Sequence, residues 1–203
     1  MGVQGMRSAL GEGGRTIMTT LSHDPIATFV TLLRDRFDIT TLVETGTFEG
    51  ESALWAAEHF ANVVTIDIRD DDRGTAYQRC RDHRNIEFIH GDTRDALPEV
   101  IATLDRPALI WLDAHAAPGL FGDADDWPIL DELEIINTSP HKHFILIDDA
   151  HCFLPGTPHP ACPTFDQVAV LAIAYGYQCR FIDDVICVVP ADVAGELDLR
   201  AGW

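Results

Sequence analysis

The stretch Glu44-Thr45-Gly46-Thr47-Phe48-Glu49-Gly50 stands between a short β-rich segment and a helical pattern. Glycines at positions 46 and 50 permit a sharp strand-to-helix turn and let a ligand approach the backbone closely. Their spacing is G-x-x-x-G, so the dinucleotide fingerprint G-x-G-x-x-G is absent, which favours a ligand without phosphates. Glu44, just before the turn, would repel a diphosphate and attract an ammonium group. The turn therefore predicts a site for a small cationic molecule.

The alternation of strand and helix continues along the rest of the chain. Strands are predicted at residues 40–44, 63–68, 86–90, 108–113, 144–148, 178–182 and 185–189. Helical patterns separate most of them, which is typical of a parallel sheet with helices on both faces. Asp183-Asp184 predicts a tight hairpin between the last two strands, which adds one antiparallel strand.

Length, charge and cysteine content limit the class of protein. The chain has 203 residues and a formal net charge of −19. We expect a flexible leader at residues 1–20 and a single domain at residues 21–203. The charge argues against nucleic acid and an anionic membrane surface as partners, although it is also compatible with a role in solubility alone. Five cysteines without a CxxC pair or signal peptide predict a cytoplasmic protein, and a homo-oligomer stays open.

Acidic residues end nearly every strand of the predicted sheet. Ligands of parallel sheets bind at the carboxyl ends of the strands, so these acids indicate a binding edge. Glu44 ends the first strand, and Asp67 ends the second, where a carboxylate accepts hydrogen bonds from ribose hydroxyls. Gly91-Asp92-Thr93 follows the third strand, where an adenine edge would lie. The sequence thus offers acids for an amino group, a ribose and an adenine.

These residues resemble the class I S-adenosylmethionine (SAM)-dependent methyltransferases. The motif E-T-G-T-F-E-G-E-S at residues 44–52 is similar to the first cofactor motif of catechol O-methyltransferase-type enzymes. The resemblance covers nearly the whole chain after residue 20. It implies an α/β fold: a Rossmann-like three-layer α/β/α sandwich, with a mostly parallel seven-stranded sheet and an antiparallel C-terminal hairpin strand. It also implies SAM contacts by Glu44, Gly46, Thr47, Gly50, Ser52, Asp67, Ile68, Asp92, Thr93 and Asp113.

Each of these residues also has a purely structural interpretation. Gly46 and Gly50 would then only shape a turn, and Asp67 would cap a helix or a loop. Asp92 would be the N-cap of the helix that follows it. It is much less expected that all of these residues have only a structural role than that any single one of them does.

A second group of acids follows the fourth and fifth strands, in the strings I-W-L-D-A-H (110–115) and I-L-I-D-D-A-H (145–151). Neighbouring strands lie about 5 Å apart, so Asp113, Asp148 and Asp149 should converge. Their carboxylates would repel each other unless they were protonated or held a cation, and Mg²⁺ suits oxygen ligands. The pattern is similar to metal-dependent O-methyltransferases of the catechol and macrocin types and to the related cephalosporin hydroxylases. That resemblance implies these three aspartates as metal ligands.

His115 and His151 each follow one of these acids by two residues. Each is interpreted as a general base for a substrate hydroxyl, as a ligand of Mn, Fe or Zn, or as a residue that only hydrogen-bonds its own loop. No lysine follows Asp113 in the place where catechol O-methyltransferase is expected to keep its base, so His115, His151 and Asp113 are the candidate catalytic residues.

Other polar and loop residues are assigned to the surroundings of this site or to the surface. The loop 116–126 is long enough to be a lid, and the proline-rich loop 155–163 would form the opposite wall. Trp127 either covers an apolar substrate or packs at the start of its helix. His141 and His143 are predicted at the surface, and Asp183-Asp184 is interpreted as a turn rather than as a site.

Together these patterns favour a SAM-dependent methyltransferase that uses a divalent metal, most simply magnesium, to methylate an oxygen of a small molecule. Two alternatives stay open. One is a metal-dependent oxygenase or hydrolase built on the Asp/His cluster, and the other is a non-catalytic SAM-binding protein. The acceptor, and the choice between O- and N-methylation, cannot be inferred from loops whose shape the sequence does not determine.

Overall fold

The structure is a computed structural model that describes residues 21–69, 73–114, 127–156 and 162–197. The predicted leader at residues 1–20 lies outside the described residues. Helices and strands alternate along the chain. The strands are β1 (Thr41–Thr45), β2 (Asn62–Asp67), β3 (Ile86–His90), β4 (Leu109–Leu112), β5 (Phe144–Ile147), β6 (Tyr177–Ile182) and β7 (Val185–Pro190). The α-helices are α1 (Ile26–Phe37), α2 (Glu51–His59), α3 (Arg73–Cys80), α4 (Thr93–Thr103), α5 (Ile129–Ile136) and α6 (Phe165–Ala174).

The seven strands form one sheet in the order β3-β2-β1-β4-β5-β7-β6. The first five strands in that order are parallel, and β7 runs antiparallel to both of its neighbours, β5 and β6. The order reverses between β1 and β4, which places a switch point where parallel α/β sheets bind ligands. The predicted sheet and its antiparallel C-terminal hairpin are confirmed.

Helices cover both faces of the sheet and so complete the predicted three-layer sandwich. One face packs against α1 and α2 and includes the side chains of Leu42 and Trp111. The other face packs against α4, α5 and α6 and includes Val43 and Ile110. Adjacent strand residues therefore point into different cores, as the pleat of a strand requires. No helix among the described residues has the length and apolar character needed to cross a membrane.

Several strand ends differ from the predicted ones by one residue, and two of these differences lie at the binding edge of the sheet. β4 and β5 end at Leu112 and Ile147, one residue before the acids that were predicted to end them. Their backbone N–H groups still bond to the neighbouring strands: Asp113 N to Thr45 O at 2.9 Å, and Asp148 N to Leu112 O at 3.1 Å. Both carboxylates therefore begin the loops at the binding edge and are still held by the sheet.

Candidate functional site

The turn between β1 and α2 brings the backbone of one strand end against that of the next. Gly46 has a φ of +88°, and a Cβ atom there would lie 2.4 Å from the carbonyl oxygen of Asp113. Its N–H donates to the Ile66 carbonyl at 2.8 Å. Gly50 has a φ of +78° and packs against Ala76, whose Cβ would be 3.0 Å from an added Cβ. The two glycines thus serve a close approach that any side chain would block.

Glu44 lies buried at the end of β1 with 1% of its surface exposed. Its Oε2 atom accepts a hydrogen bond from the Thr65 hydroxyl at 2.6 Å. Burial raises the pKa of Glu44 to about 8, the Thr65 hydrogen bond opposes that shift, and the charge of Asp67 adds to it. At neutral pH Glu44 is therefore mainly the neutral acid in the absence of a nearby cation.

Asp67 ends β2 with its carboxylate held by the backbone. Oδ2 accepts from the N–H of Phe48 at 2.9 Å, and Oδ1 accepts from the N–H of Arg69 at 2.8 Å. Phe48 adopts a φ of +44°, which turns its N–H toward the acid. Because each carboxylate oxygen has two lone pairs, both retain capacity for a ligand hydroxyl. The neighbouring Ile68 is 62% exposed and offers an apolar surface beside the acid.

A shallow, open cleft lies next to Asp67. Its walls come from the β1–α2 turn, the end of β2 and the end of β3, with Thr47, Phe48, Asp67, Arg69, Phe88, Ile89 and His90 as lining residues. Apolar side chains alternate there with polar ones, which suits a flat, partly polar group such as a nucleoside.

Two other predicted cofactor residues, Asp92 and Ser52, have structural partners of their own, and a third, Thr93, is buried. Asp92 is the N-cap of α4, and its carboxylate also bonds to the Arg94 guanidinium at 2.6 Å. The hydrogen bond from the Arg94 side chain lowers the pKa of Asp92. Thr93 is buried at the first position of α4, and the hydroxyl of Ser52 accepts from Leu21 N at 3.4 Å. The structural interpretation of Asp92 as a cap thus has direct support.

Asp113 follows β4 and lies among other acids. Burial raises its pKa well above the ordinary value, and the charges of Asp149, Glu44 and Asp67 add to this shift, whereas a hydrogen bond from Trp111 opposes it. A cation bound among these acids would restore their ionised forms. The acids at the ends of β1, β2, β4 and β5 therefore form one electrostatically coupled group.

The acids after β5 diverge in their surroundings. Asp148 is buried, whereas Asp149 adopts a left-handed φ of +52° and is partly exposed. Potential ligand atoms of Asp149, His151 and Asp184 lie within 4.8 Å of one another. Within the described ranges, Asp113 and Asp148 are not part of a group that meets this spacing, so their role as metal ligands stays a prediction.

Asp184 is the residue that the sequence analysis missed. It lies in the predicted hairpin turn between β6 and β7, and its Oδ2 atom is 2.6 Å from Nδ1 of His151. Its Oδ1 atom accepts from the backbone N–H of His151 at 2.8 Å. A weak signal was available in the sequence, because β7 pairs with β5 and the turn before β7 must then return to the carboxyl end of β5.

Cys152 contacts the other nitrogen of the same imidazole, with Sγ 3.4 Å from Nε2. Burial and the surrounding acids, chiefly Asp149, raise the pKa of the Cys152 thiol to about 12. The thiol is therefore protonated at neutral pH and is a poor nucleophile.

Several predictions fall outside this region or outside the described residues. His115, the lid loop 116–126 and residues 157–161 of the proline-rich loop lie outside the described residues. Trp127 packs edge-on against Phe153, with ring centroids 5.9 Å apart. The prediction that His143 lies at the surface is wrong, because its side chain is fully buried and Nδ1 accepts from Ala108 N at 3.0 Å.

Comparison with solved structures identifies the fold. The O-methyltransferase TomG from Streptomyces achromogenes, in complex with SAM, matches with a TM-score of 0.60 and 16% identity over 83% of this chain and 81% of TomG. An O-methyltransferase from Bacillus cereus, in complex with S-adenosylhomocysteine (SAH), matches with a TM-score of 0.57 and 16% identity over 85% of this chain and 84% of that one. An rRNA methylase from Streptococcus thermophilus matches with a TM-score of 0.50 and 15% identity over 83% and 98%.

Neither a protein-family model nor a curated protein sequence matches the chain. The solved structures show that the chain has the fold of class I SAM-dependent methyltransferases, a fold shared here by an O-methyltransferase involved in tomaymycin synthesis and by an rRNA methylase. What this chain binds must be argued from its own site.

Proposed function

We propose that this protein is a SAM-dependent methyltransferase that transfers the methyl group to an oxygen atom of a small molecule with the help of a divalent metal. The observation that carries the proposal is the β1–α2 turn. There Gly46 keeps the backbone open beside the Asp113 carbonyl, and Glu44 and Asp67 flank the opening. The likeness in fold to SAM- and SAH-bound methyltransferases supports the same assignment.

The residues present suit the cofactor. Glu44 is a buried carboxyl group beside a turn without a phosphate-binding fingerprint, so it suits an ammonium group. Asp67 has a carboxylate oriented by two backbone N–H groups, and it would accept from the two ribose hydroxyls. The cleft beside it would enclose the adenine, with Ile68 as an exposed apolar neighbour. When bound, SAM supplies a methyl group on a sulfonium, an electrophile that needs only an aligned nucleophile.

The protein's part in the transfer is to place the acceptor oxygen and remove its proton. Asp149, together with Asp113 and Asp148, would hold a hard divalent metal, which lowers the pKa of a coordinated hydroxyl. His151 would accept the hydroxyl proton at Nε2, because Nδ1 faces Asp184, and the acceptor hydroxyl would replace the Cys152 thiol that lies 3.4 Å from Nε2. Alignment of the oxygen with the methyl group is a proximity effect that the pocket walls supply.

A small acceptor is favoured over nucleic acid by charge. The chain carries 33 acidic and 14 basic residues, and a polyanion would meet repulsion rather than the basic surface that phosphate backbones require. Oxygen is favoured over nitrogen as the acceptor because a metal bound by carboxylates activates a hydroxyl more effectively than an amine.

Calorimetric titration tests the cofactor assignment. We expect saturable one-to-one binding of SAH with a Kd below about 100 μM, and no binding of NAD⁺, because the turn lacks a pyrophosphate site. Absence of both SAM and SAH binding at millimolar concentration would refute the proposal.

The metal assignment is tested with the variant Asp149→Asn and a matched control, Asp183→Asn. Both positions have a left-handed φ, +52° and +50°, which asparagine tolerates, so backbone strain is the same. Asp149→Asn should lose Mg²⁺-dependent turnover and keep SAH binding, whereas Asp183→Asn should keep both. Equal turnover in chelator and in Mg²⁺ would show that the metal part is wrong.

A second candidate is a metal-dependent oxygenase or hydrolase, and the Asp149–His151–Asp184 group favours it. One imidazole and two carboxylates suit a transition metal better than Mg²⁺. Metal analysis of the purified protein discriminates between the two functions. Stoichiometric iron or zinc, together with no affinity for SAH, would favour this candidate.

A further inference from the structure

Two threonine hydroxyl groups form a hydrogen-bonded chain with Glu44 beside the β1–α2 turn. The Thr65 hydroxyl donates to Glu44 Oε2 at 2.6 Å, and the hydroxyls of Thr47 and Thr65 are also 2.6 Å apart. When Glu44 is ionised its carboxylate can only accept, so Thr65 uses its one hydroxyl hydrogen on Glu44 and Thr47 donates to Thr65. All three side chains are buried. In the ionised form of Glu44 the donors therefore run from Thr47 to Thr65 to Glu44.

The surroundings of Glu44 carry negative charge. The charges of Asp67, at the end of β2, and of Asp113, after β4, interact unfavourably with that of Glu44, and Glu44 in turn raises the pKa of the Cys80 thiol in α3. Among the described residues, no lysine, arginine or histidine forms an ion pair with Glu44, and its hydrogen-bonding partner is Thr65. Such a carboxyl group remains protonated until a cation arrives.

We propose that Thr65 is a positioning residue for the cofactor's amino group, and that Glu44 releases one proton to solvent when that ammonium group binds. The inference rests on the proposed cofactor function and deepens it. Glu44 changes from carboxylic acid to carboxylate, the ligand's ammonium keeps its three hydrogens, and the proton passes to the buffer. Thr65 holds Oε2, so that Oε1 is the carboxyl oxygen left for the ammonium group.

The first test compares two probes that differ at the amino acid part. SAH carries the ammonium group, whereas 5′-methylthioadenosine has the same nucleoside and lacks it. Thr65→Val, which keeps the side-chain shape and removes the hydroxyl, should weaken SAH binding about tenfold and leave methylthioadenosine binding within about twofold. Thr65→Ser, which keeps the hydroxyl, should restore SAH binding. A merely structural role would weaken both probes alike.

The second test counts protons. Calorimetry of SAH binding to the metal-free protein at pH 7, in chelator and in two buffers of different ionisation enthalpy, should give release of about one proton for the wild type and about none for Glu44→Gln. The released proton should disappear as the pH is raised past about 9. Thermal melting of each variant establishes that it is folded before titration.

The outcomes separate this inference from the function on which it rests. If SAH does not bind the wild type, the cofactor assignment fails, and this inference fails with it. If SAH binds but the proton count is near zero, or Thr65→Val affects both probes equally, the cofactor assignment stands and the roles of Thr65 and Glu44 are wrong. If methylthioadenosine binds too weakly to measure, the proton count still tests the role of Glu44.

Discussion

Nδ1 of His151 lies 2.6 Å from Oδ2 of Asp184, and the backbone N–H of His151 donates to Oδ1 of the same carboxylate at 2.8 Å. The β6–β7 hairpin thus holds the first turn after β5 by both oxygens of one side chain. The backbone reinforces this contact, because Ala150 N donates to the Asp184 carbonyl at 2.8 Å. An imidazole held in this way presents Nδ1 to the carboxylate, and Nε2 lies on the opposite side, 3.4 Å from the Cys152 thiol.

Asp184→Asn should therefore impair the base more than the cofactor site. The asparagine can still accept from the backbone N–H, but it cannot hold the ring with the same proton on Nδ1. We expect methyl transfer, measured as SAH formation with phenol and sugar acceptors, to fall about tenfold to a hundredfold. Affinity for SAH should stay within about twofold.

Asp183→Asn is the control, because it changes the adjacent residue of the same turn. Its side chain is exposed, and it should leave turnover unchanged. Full activity of Asp184→Asn would mean that His151 is not the base.

Gly46→Ala should abolish cofactor binding and destabilise the protein. Its added Cβ would lie 2.4 Å from the Asp113 carbonyl oxygen, at a φ of +88° that alanine rarely adopts. We expect a loss of about 1–3 kcal/mol in the free energy of unfolding from strain at this φ, measured by urea titration. Gly74→Ala is the control, since nothing lies within 4 Å of its added Cβ in α3, and it should stabilise by about 0.5–1 kcal/mol. A stable Gly46→Ala variant that binds SAH would contradict the tight-turn argument.

Because His143 is buried, we expect the free energy of unfolding to fall in mild acid. Burial, with a smaller effect of His141, lowers the pKa of His143 to about 4, whereas the unfolded chain has the ordinary value of 6.5. Below pH 6.5 the unfolded state takes up a proton that the folded state refuses, so stability falls as the pH drops toward 4. The loss attributable to His143 is about 2 kcal/mol between pH 7 and pH 5.

The measurement is urea unfolding at both pH values for the wild type and for His143→Asn. The asparagine carbonyl can replace Nδ1 as acceptor for Ala108 N, and it does not titrate. The variant should lose less stability than the wild type between pH 7 and pH 5. Equal losses would mean that His143 is protonated in the folded state.

The sequence predicted the elements that depend on local pattern. The glycine turn after β1, the acids at the strand ends and the Asp183-Asp184 hairpin follow from alternation and from residues with known turn preferences. Glu44, Asp67 and Asp113 are brought to one edge because parallel strands end together. The same rule placed Asp149 near them.

The parts that the sequence did not predict depend on contacts between distant residues. Asp184 is 33 positions from His151, and their bond depends on β7 pairing with β5 rather than on local pattern. His143 follows His141 and Lys142 in the sequence, yet it is buried and its Nδ1 accepts from Ala108 N, just before β4. The hydrogen bond to Glu44 likewise comes from Thr65, which lies on the neighbouring strand β2.

Glu44→Gln should stabilise the ligand-free protein at alkaline pH. Burial, chiefly, raises the pKa of Glu44 to about 8 from an ordinary value of 4.5, so the folded state retains a proton that the unfolded state has lost. The stability of the wild type should therefore decline as the pH rises from 4.5 to 8, and above pH 8 the folded protein carries a buried charge.

Glutamine removes that charge, and its amide oxygen still accepts from Thr65. We expect the free energy of unfolding of Glu44→Gln to exceed that of the wild type by more than about 1 kcal/mol at pH 9, and the difference to shrink toward pH 5. Glu58→Gln, at an exposed position of α2, should show no such dependence. A variant whose advantage stays constant from pH 5 to pH 9 would mean that Glu44 is ionised throughout, and SAH binding would then release no proton.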